Sequence, residues 1–207
     1  MLVQELAHQI DRNVQGGNVI MKLDMTKAFD KVSWSFLSII LQKFGFSDAW
    51  ISLVMSCVTN CWFSMVVNGH LQGYFRSEQG VRQGDPLSPS LFILAQAYLI
   101  RGQEHLYQQF PSLRYKTGCS LPISSLSFAD DTILFCNGRK ESIEKVISFL
   151  DHFQAVSGQL INQSKSSCIV SKKASQSRKH IIVRVARFRV IYLSPISACQ
   201  LVKEGIN

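Results

Sequence analysis

The segment SLSFADDTILF, residues 125–135, sets two adjacent carboxylates inside an apolar run. A carboxylate left unpaired in a low-dielectric interior is costly. A tight turn at Ala129-Asp130-Asp131 would keep both acids out of a core. The flanking SSLSF and TILFC have the composition of short strands, and Asp is a favoured turn residue. An antiparallel hairpin with the acids near its tip follows. On this stretch alone two uses of the tip stay open: a surface turn, or a cation site at a sheet edge. In the second, the alternation of strand side chains favours Asp130 as principal ligand, with Asp131 assisting from the turn.

A second hairpin is written in CWFSMVVNGHLQGYF, where Asn68-Gly69 has the chemistry of a two-residue turn. NVIMKLDM, after Gly16-Gly17, reads as a buried strand, and LINQSKSSCIVS as a loop with a short strand. VQELAHQI reads as the end of a helix. Four more helices are expected over SWSFLSIILQKFG, SDAWISLVMSCV, SPSLFILAQAYLIRGQEHLY and ESIEKVISFLDHFQAVSG. Ser33 and Ser47 are placed to cap, Pro89 lies in a first turn, and Gly45 and Gly158 can end their helices. Two hairpins among alternating helices point to an α+β fold with antiparallel pairs.

No run of about 18 apolar residues offers a membrane span, and the opening MLVQELAHQIDRN lacks the apolar core of a signal peptide. Cysteines 57, 61, 119, 136, 168 and 199 form no CxxC pair. They read as reduced thiols, mostly buried, of an intracellular protein in nucleus or cytoplasm. The net charge of +8 is uneven: residues 1–164 are neutral, while 165–207 carry nine basic residues and one acid. Such a segment points to a polyanion partner, usually nucleic acid; a solvated basic tail is the alternative.

Asp24 ends the buried strand in KLDMTKAFDKV. If the acidic hairpin pairs beside that strand, Asp24, Asp130 and Asp131 converge at one sheet edge. Three like charges raise each other's pKa, and a hard divalent cation such as Mg²⁺ removes the conflict. Two such ions about 4 Å apart serve nucleotidyl transfer. QGVRQGDPLSPSLF then brings a polar loop into a helix N-terminus, where backbone N–H groups favour anions. Gly84 permits close backbone approach, and Gln83 both donates and accepts. An ordinary loop with Ser88 capping the helix is the alternative.

Together KLDMTKAFDKVSW, GVRQGDPLSPSLF, SLSFADDTILF and SGQLINQSKS resemble four consecutive motifs of reverse transcriptases of non-LTR (LINE-type) retrotransposons, a kind abundant in plant genomes. The resemblance implies a right-hand polymerase palm, an antiparallel sheet with packed helices, with partial fingers and the thumb missing. It implies that Asp24, Asp130 and Asp131, with the Met25 carbonyl, bind two Mg²⁺ ions, for which Mn²⁺ can substitute. Phe29 would exclude a 2′-hydroxyl. Gln83, with Gly84, would lie beside the incoming nucleotide and template, and Lys165 would protonate or neutralise pyrophosphate. Asp30 would be structural.

The partners implied are an RNA template, a DNA primer and a dNTP, with no membrane. By the same resemblance, residues 1–172 would form the reverse transcriptase palm with partial fingers. Residues 173–207 form a basic, divergent or truncated C-terminal segment, in which IYLSP replaces an expected Tyr-Leu-Gly hairpin. The expectation is a fragment of a degenerate element that keeps its carboxylates but makes DNA poorly or not at all. The alternatives are a non-catalytic nucleic-acid-binding remnant and an inert gene relic.

Overall fold

The computed structural model describes residues 6–118, 123–128, 130–194 and 197. Cys119 and Cys199 lie outside them. The chain divides into two units, one of Met1–Thr26, Ile100–His152 and Ile161–Asn207, the other of Lys27–Leu99 and Phe153–Leu160.

The first unit is built on strand β1 (Asn18–Leu23), whose run Asn-Val-Ile-Met-Lys-Leu leaves only Lys22 part-exposed. Such a run must be covered on both faces, and β1 takes the centre of a five-stranded sheet. The order is β5 (Ser125–Phe128), β6 (Asp131–Asn137), β1, β8 (Ser167–Ser171) and β9 (Arg189–Leu193). β1 runs antiparallel to β6, from Asn18 opposite Asn137 to Leu23 opposite Thr132. It is also antiparallel to β8, with Ile20 opposite Ile169. β5 and β6 form the expected acidic hairpin.

On one face Ile20, Ile133, Phe135 and Ile169 pack with Leu6, Ala7, Ile10 and Tyr115. Register puts Val19, Met21, Leu134, Cys136, Cys168 and Val170 on the other face, all buried. Burial pushes up the thiol pKa values of Cys136 and Cys168, that of Cys168 to about 12.

The C-terminal basic segment is folded as far as it is described. Ser175 caps a helix over Gln176–Val185, accepting a hydrogen bond from Arg178 N, and β9 pairs parallel with β8.

The second unit holds α1 (Trp34–Lys43) and α2 (Asp48–Thr59), each capped by its expected serine: Ser33 accepts from Phe36 N and Ser47 from Trp50 N, both at 3.4 Å. Phe36 packs edge-on to Tyr98 and Phe153. Strands β3 (Trp62–Val67) and β4 (His70–Arg76) form the second hairpin. Asn68 and Gly69, at φ +51° and +79°, make the left-handed two-residue turn that suits the strand twist. Trp62, Met65, Val66, Leu71 and Tyr74 of this hairpin are exposed.

The long helices α3 (Ser88–Gln109) and α4 (Lys140–Ser157) contribute residues to both units. Ile143, Val146, Ile147, Leu150 and Phe153 of α4 are buried as their spacing predicts. Ser88 is not the cap of α3. It lies inside the first turn and is buried, and the Asp85 carboxylate accepts from Leu87 N at 2.8 Å instead. Short strands β2 (Met25–Thr26) and β7 (Leu160–Ile161) complete the elements. No described helix is long and apolar enough to cross a membrane.

Candidate active site

Asp24 follows the last residue of β1, and the pairing of Leu23 with Thr132 brings the start of β6 beside it. Asp131 is the first residue of β6, opposite Phe128, and Asp130 is an exposed turn residue. The order anticipated from side-chain alternation is thus reversed: Asp131 stands on the strand and Asp130 on the turn. The physical reason is the shortness of the turn. Pairing of Phe128 with Asp131 leaves Asp130 no ladder position.

Burial raises the Asp131 pKa above its ordinary value. The negative charges of Asp130 and Asp24 add to that rise, and the Lys22 ammonium opposes it. The three carboxylates therefore share one electrostatic neighbourhood. They are not drawn into a closed cage: among the described residues no three His, Cys, Asp or Glu side chains are gathered tightly enough to hold a metal as they stand.

The backbone of Asp24 is clipped from both sides by the loop that carries Lys165. Asp24 N donates to Ser166 Oγ at 3.0 Å, and Asp24 O accepts from Asn162 N at 2.8 Å. Asn162 Oδ1 in turn accepts from Ser164 N and Lys165 N. Lys165, 141 positions from Asp24 in the chain, is exposed on that loop. Met25 is buried immediately after Asp24.

Sequence reasoning did not single out Lys22, Asn162 or Ser166. The signal for Lys22 was present, since it is the one cation in an apolar strand. Ser166 and Asn162 had none, because a loop polar residue announces no partner at a distance.

The second unit carries the other motif residues. Phe29 is half-buried and stacks on Phe92, centroids 4.5 Å apart at 18°. Its carbonyl accepts from Val81 N at 2.9 Å. Gln83 Nε2 donates to Asp30 Oδ1 at 3.2 Å, so Asp30 holds the glutamine of the polar loop. Gly84 has φ +85°, and nothing lies within 4 Å of where a Cβ would stand. Gly80 supports the same loop by close approach, because a Cβ there would sit 2.6 Å from the Asp30 carbonyl oxygen. A cavity of about 530 Å³ opens beside Gln83, lined also by Asp30, Arg82, Phe63 and Phe75. Its volume is that of a small-molecule site.

Comparison with known proteins decides the family. Residues 2–184 match the profile described as Reverse transcriptase (RNA-dependent DNA polymerase). The chain belongs to the reverse transcriptase family.

Its relatives are of the retrotransposon kind that the motifs resemble. It is 35% identical over 115 residues to a "Retrovirus-related Pol polyprotein from type-1 retrotransposable element R2" of Popillia japonica, covering 56% of this chain and 18% of that protein. It is 31% identical over 135 residues to the corresponding type-2 R2DM polyprotein of Drosophila melanogaster, covering 63% and 12%. The chain thus spans less than a fifth of these relatives' length.

Among solved structures, telomerase from Candida tropicalis, determined with a TWJ fragment of telomeric RNA, aligns at a TM-score of 0.61 and 14% identity. That alignment covers 84% of this chain and 30% of the telomerase chain. At that identity the likeness is one of fold, and it agrees with an α+β reverse transcriptase palm with part of the fingers.

Proposed function

We propose that this reverse transcriptase chain is an RNA-directed DNA polymerase domain that extends a DNA primer on an RNA template with deoxynucleoside triphosphates. The observation that carries the reading is the register that sets the end of β1, next to Asp24, beside Asp131 at the start of β6, with Asp130 in the adjoining turn. A site that gathers like charge is one that a cation completes.

Asp24, Asp130, Asp131 and the Met25 carbonyl offer only hard oxygen donors, the set that suits Mg²⁺ or Mn²⁺, and would hold two ions. When bound, such ions activate the attacking hydroxyl and neutralise the leaving group. The primer 3′-hydroxyl oxygen bonds to the α-phosphorus, the bond to the pyrophosphate oxygen breaks, and the hydroxyl proton passes to solvent. Lys165 neutralises the departing pyrophosphate. Phe29, its ring fixed against Phe92, excludes a 2′-hydroxyl. Gln83 positions the incoming nucleotide against the template, and Gly84 leaves backbone approach open there. The rest is positioning and charge stabilisation rather than covalent catalysis. Residues 1–172 carry this machinery, and 173–207 form a basic segment for backbone contacts to nucleic acid.

The test is extension of an oligo(dT) primer on poly(rA) with dTTP and Mg²⁺ or Mn²⁺, beside Asp130→Ala. Weak metal-dependent extension, as befits a degenerate fragment, that vanishes in the variant is expected. Folded protein that extends nothing overturns the reading and leaves a family fold without its reaction.

A further inference from the structure

The end of β1 and β6 remote from Asp24 carries a second charged site, of opposite sign. A cavity of about 390 Å³ there is lined by Arg12, Gln15, Lys116, Thr117, Asn137 and Arg139, and among the described residues no carboxylate lines it. Five residue steps of β1 separate Asn18 from Leu23, roughly 17 Å at the usual rise per residue. The two sites are therefore distinct.

The cations are brought together by buried structure. Asn18 and Asn137, each 2% exposed, stand opposite one another in the β1–β6 register. Asn18 Nδ2 donates to Gln9 O at 2.7 Å and to Lys116 O at 3.0 Å, while its Oδ1 accepts from Lys116 N at 3.0 Å. Asn137 Nδ2 donates to Gln15 O at 2.9 Å, and its Oδ1 accepts from Arg139 N at 3.0 Å. Two buried amides thus pin the backbone of the segments that bear Arg12, Lys116 and Arg139. Gly16 permits the packing, since a Cβ there would fall 2.2 Å from Asn137 Oδ1.

Among the described residues Arg12, Lys116 and Arg139 are in no salt bridge, and the nearest acid along the chain from Arg139 is Glu141, in the first turn of α4. Among the described residues Arg12 donates to the neutral Gln9 side chain at 3.4 Å, and Arg139 to the neutral Gln15 side chain. Asp11 is engaged by Lys173 and Ser171, and Glu104 by Arg114 and Ser124. Arg139 also directly precedes α4, whose first N–H groups add positive potential. Cations gathered without a counter-charge favour an anion. Arg, Lys, amide and hydroxyl groups are the set that contacts phosphates and carries no base readout. The lining has no aromatic ring on which a base could stack.

We propose that this cavity binds phosphate groups of a nucleic-acid strand, at a site separate from the carboxylate cluster. The inference does not rest on catalysis, and binding can be read whether or not the chain makes DNA.

The experiment measures affinity of the full chain for a fluorescent single-stranded RNA across a salt series. The triple variant Arg12→Gln, Lys116→Gln, Arg139→Gln is run alongside. Three lost phosphate contacts are expected to flatten the slope of log K against log salt by about two. A second readout needs no variant: acetylation of the native chain with and without RNA, located by mass spectrometry. Lys116 is expected to be protected while Lys43, exposed in the other unit, stays reactive. Inorganic phosphate and pyrophosphate are run in parallel. An unchanged slope with Lys116 fully reactive overturns the proposal. Protection of Lys116 by free phosphate but not by RNA overturns the nucleic-acid assignment.

Discussion

Asp131→Asn lowers metal-dependent primer extension by about 10²–10³-fold or more while leaving the fold at least as stable at neutral pH. The loss is of the size seen when one preorganised electrostatic stabiliser is removed from a transition state. The stability half follows from the Asp131 carboxyl, raised first by burial and further by Asp130 and Asp24, with Lys22 opposing. A carboxyl whose folded pKa lies above its unfolded one favours the fold in its protonated form. That contribution is complete below the unfolded value and is lost as pH rises through the folded one. At neutral pH the ionised group is therefore a burden, which an amide of the same shape removes.

Two measurements separate this from ordinary damage. Mg²⁺ should raise the thermal midpoint of the parent and leave that of the variant unmoved. Extension by the parent should also fall as pH drops through the raised carboxyl value, since only the ionised form holds a cation. A variant that is both inactive and markedly less stable would assign Asp131 a structural role instead.

Phe135→Ala carries the largest expected cost to the fold, about 3–5 kcal/mol. Phe135 is fully buried at the centre of β6, opposite Ile20 and edge-on to Tyr115 at 5.4 Å. It packs among residues drawn from β1, β8 and the N-terminal helical turns. Truncation removes the ring from a cluster whose strands are held in register on both sides, so the space cannot readily close. Stabilities of single domains are about 5–15 kcal/mol, so the variant sits close to unfolding. Urea denaturation followed by circular dichroism reads the loss as a lower midpoint at unchanged slope. The backbone beneath the ring is held separately, by Tyr107 Oη donating to the Phe135 carbonyl at 2.8 Å. A loss below about 1 kcal/mol would show that the cluster relaxes around the gap.

Local chemistry was legible where its partners were near in sequence. Ser33, Ser47 and Asn68-Gly69 act within a few residues, and each element forms where its signal stands. The neighbourhood of Asp24 and the acidic hairpin followed only on the supposition that the hairpin pairs beside β1, which the Leu23–Thr132 register meets.

The reading lost its grip wherever a single residue of register decided the outcome. Whether Asp130 or Asp131 takes the strand position depends on the pairing of Phe128, which periodicity does not specify. Asp85 rather than Ser88 receives the helix N–H, since both are competent acceptors and the start of the turn chooses between them. The clip of Ser166 and Asn162 on Asp24 joins residues that only the folded sheet brings near. Composition marked the last segment as basic, but the unbroken run Val190-Ile191-Tyr192-Leu193 in β9 was the feature that let it join the sheet.

The paired burial of Cys136 and Cys168 gives the molecule a built-in clock. Alkylating reagents attack thiolates, and both thiols, on strands flanking β1, are hidden and held protonated at neutral pH. Their modification must wait until the central strands part. Cys57, exposed on α2, reacts without that wait. The delay between the two events measures, in the native chain and with no added label, how often the middle of the sheet opens.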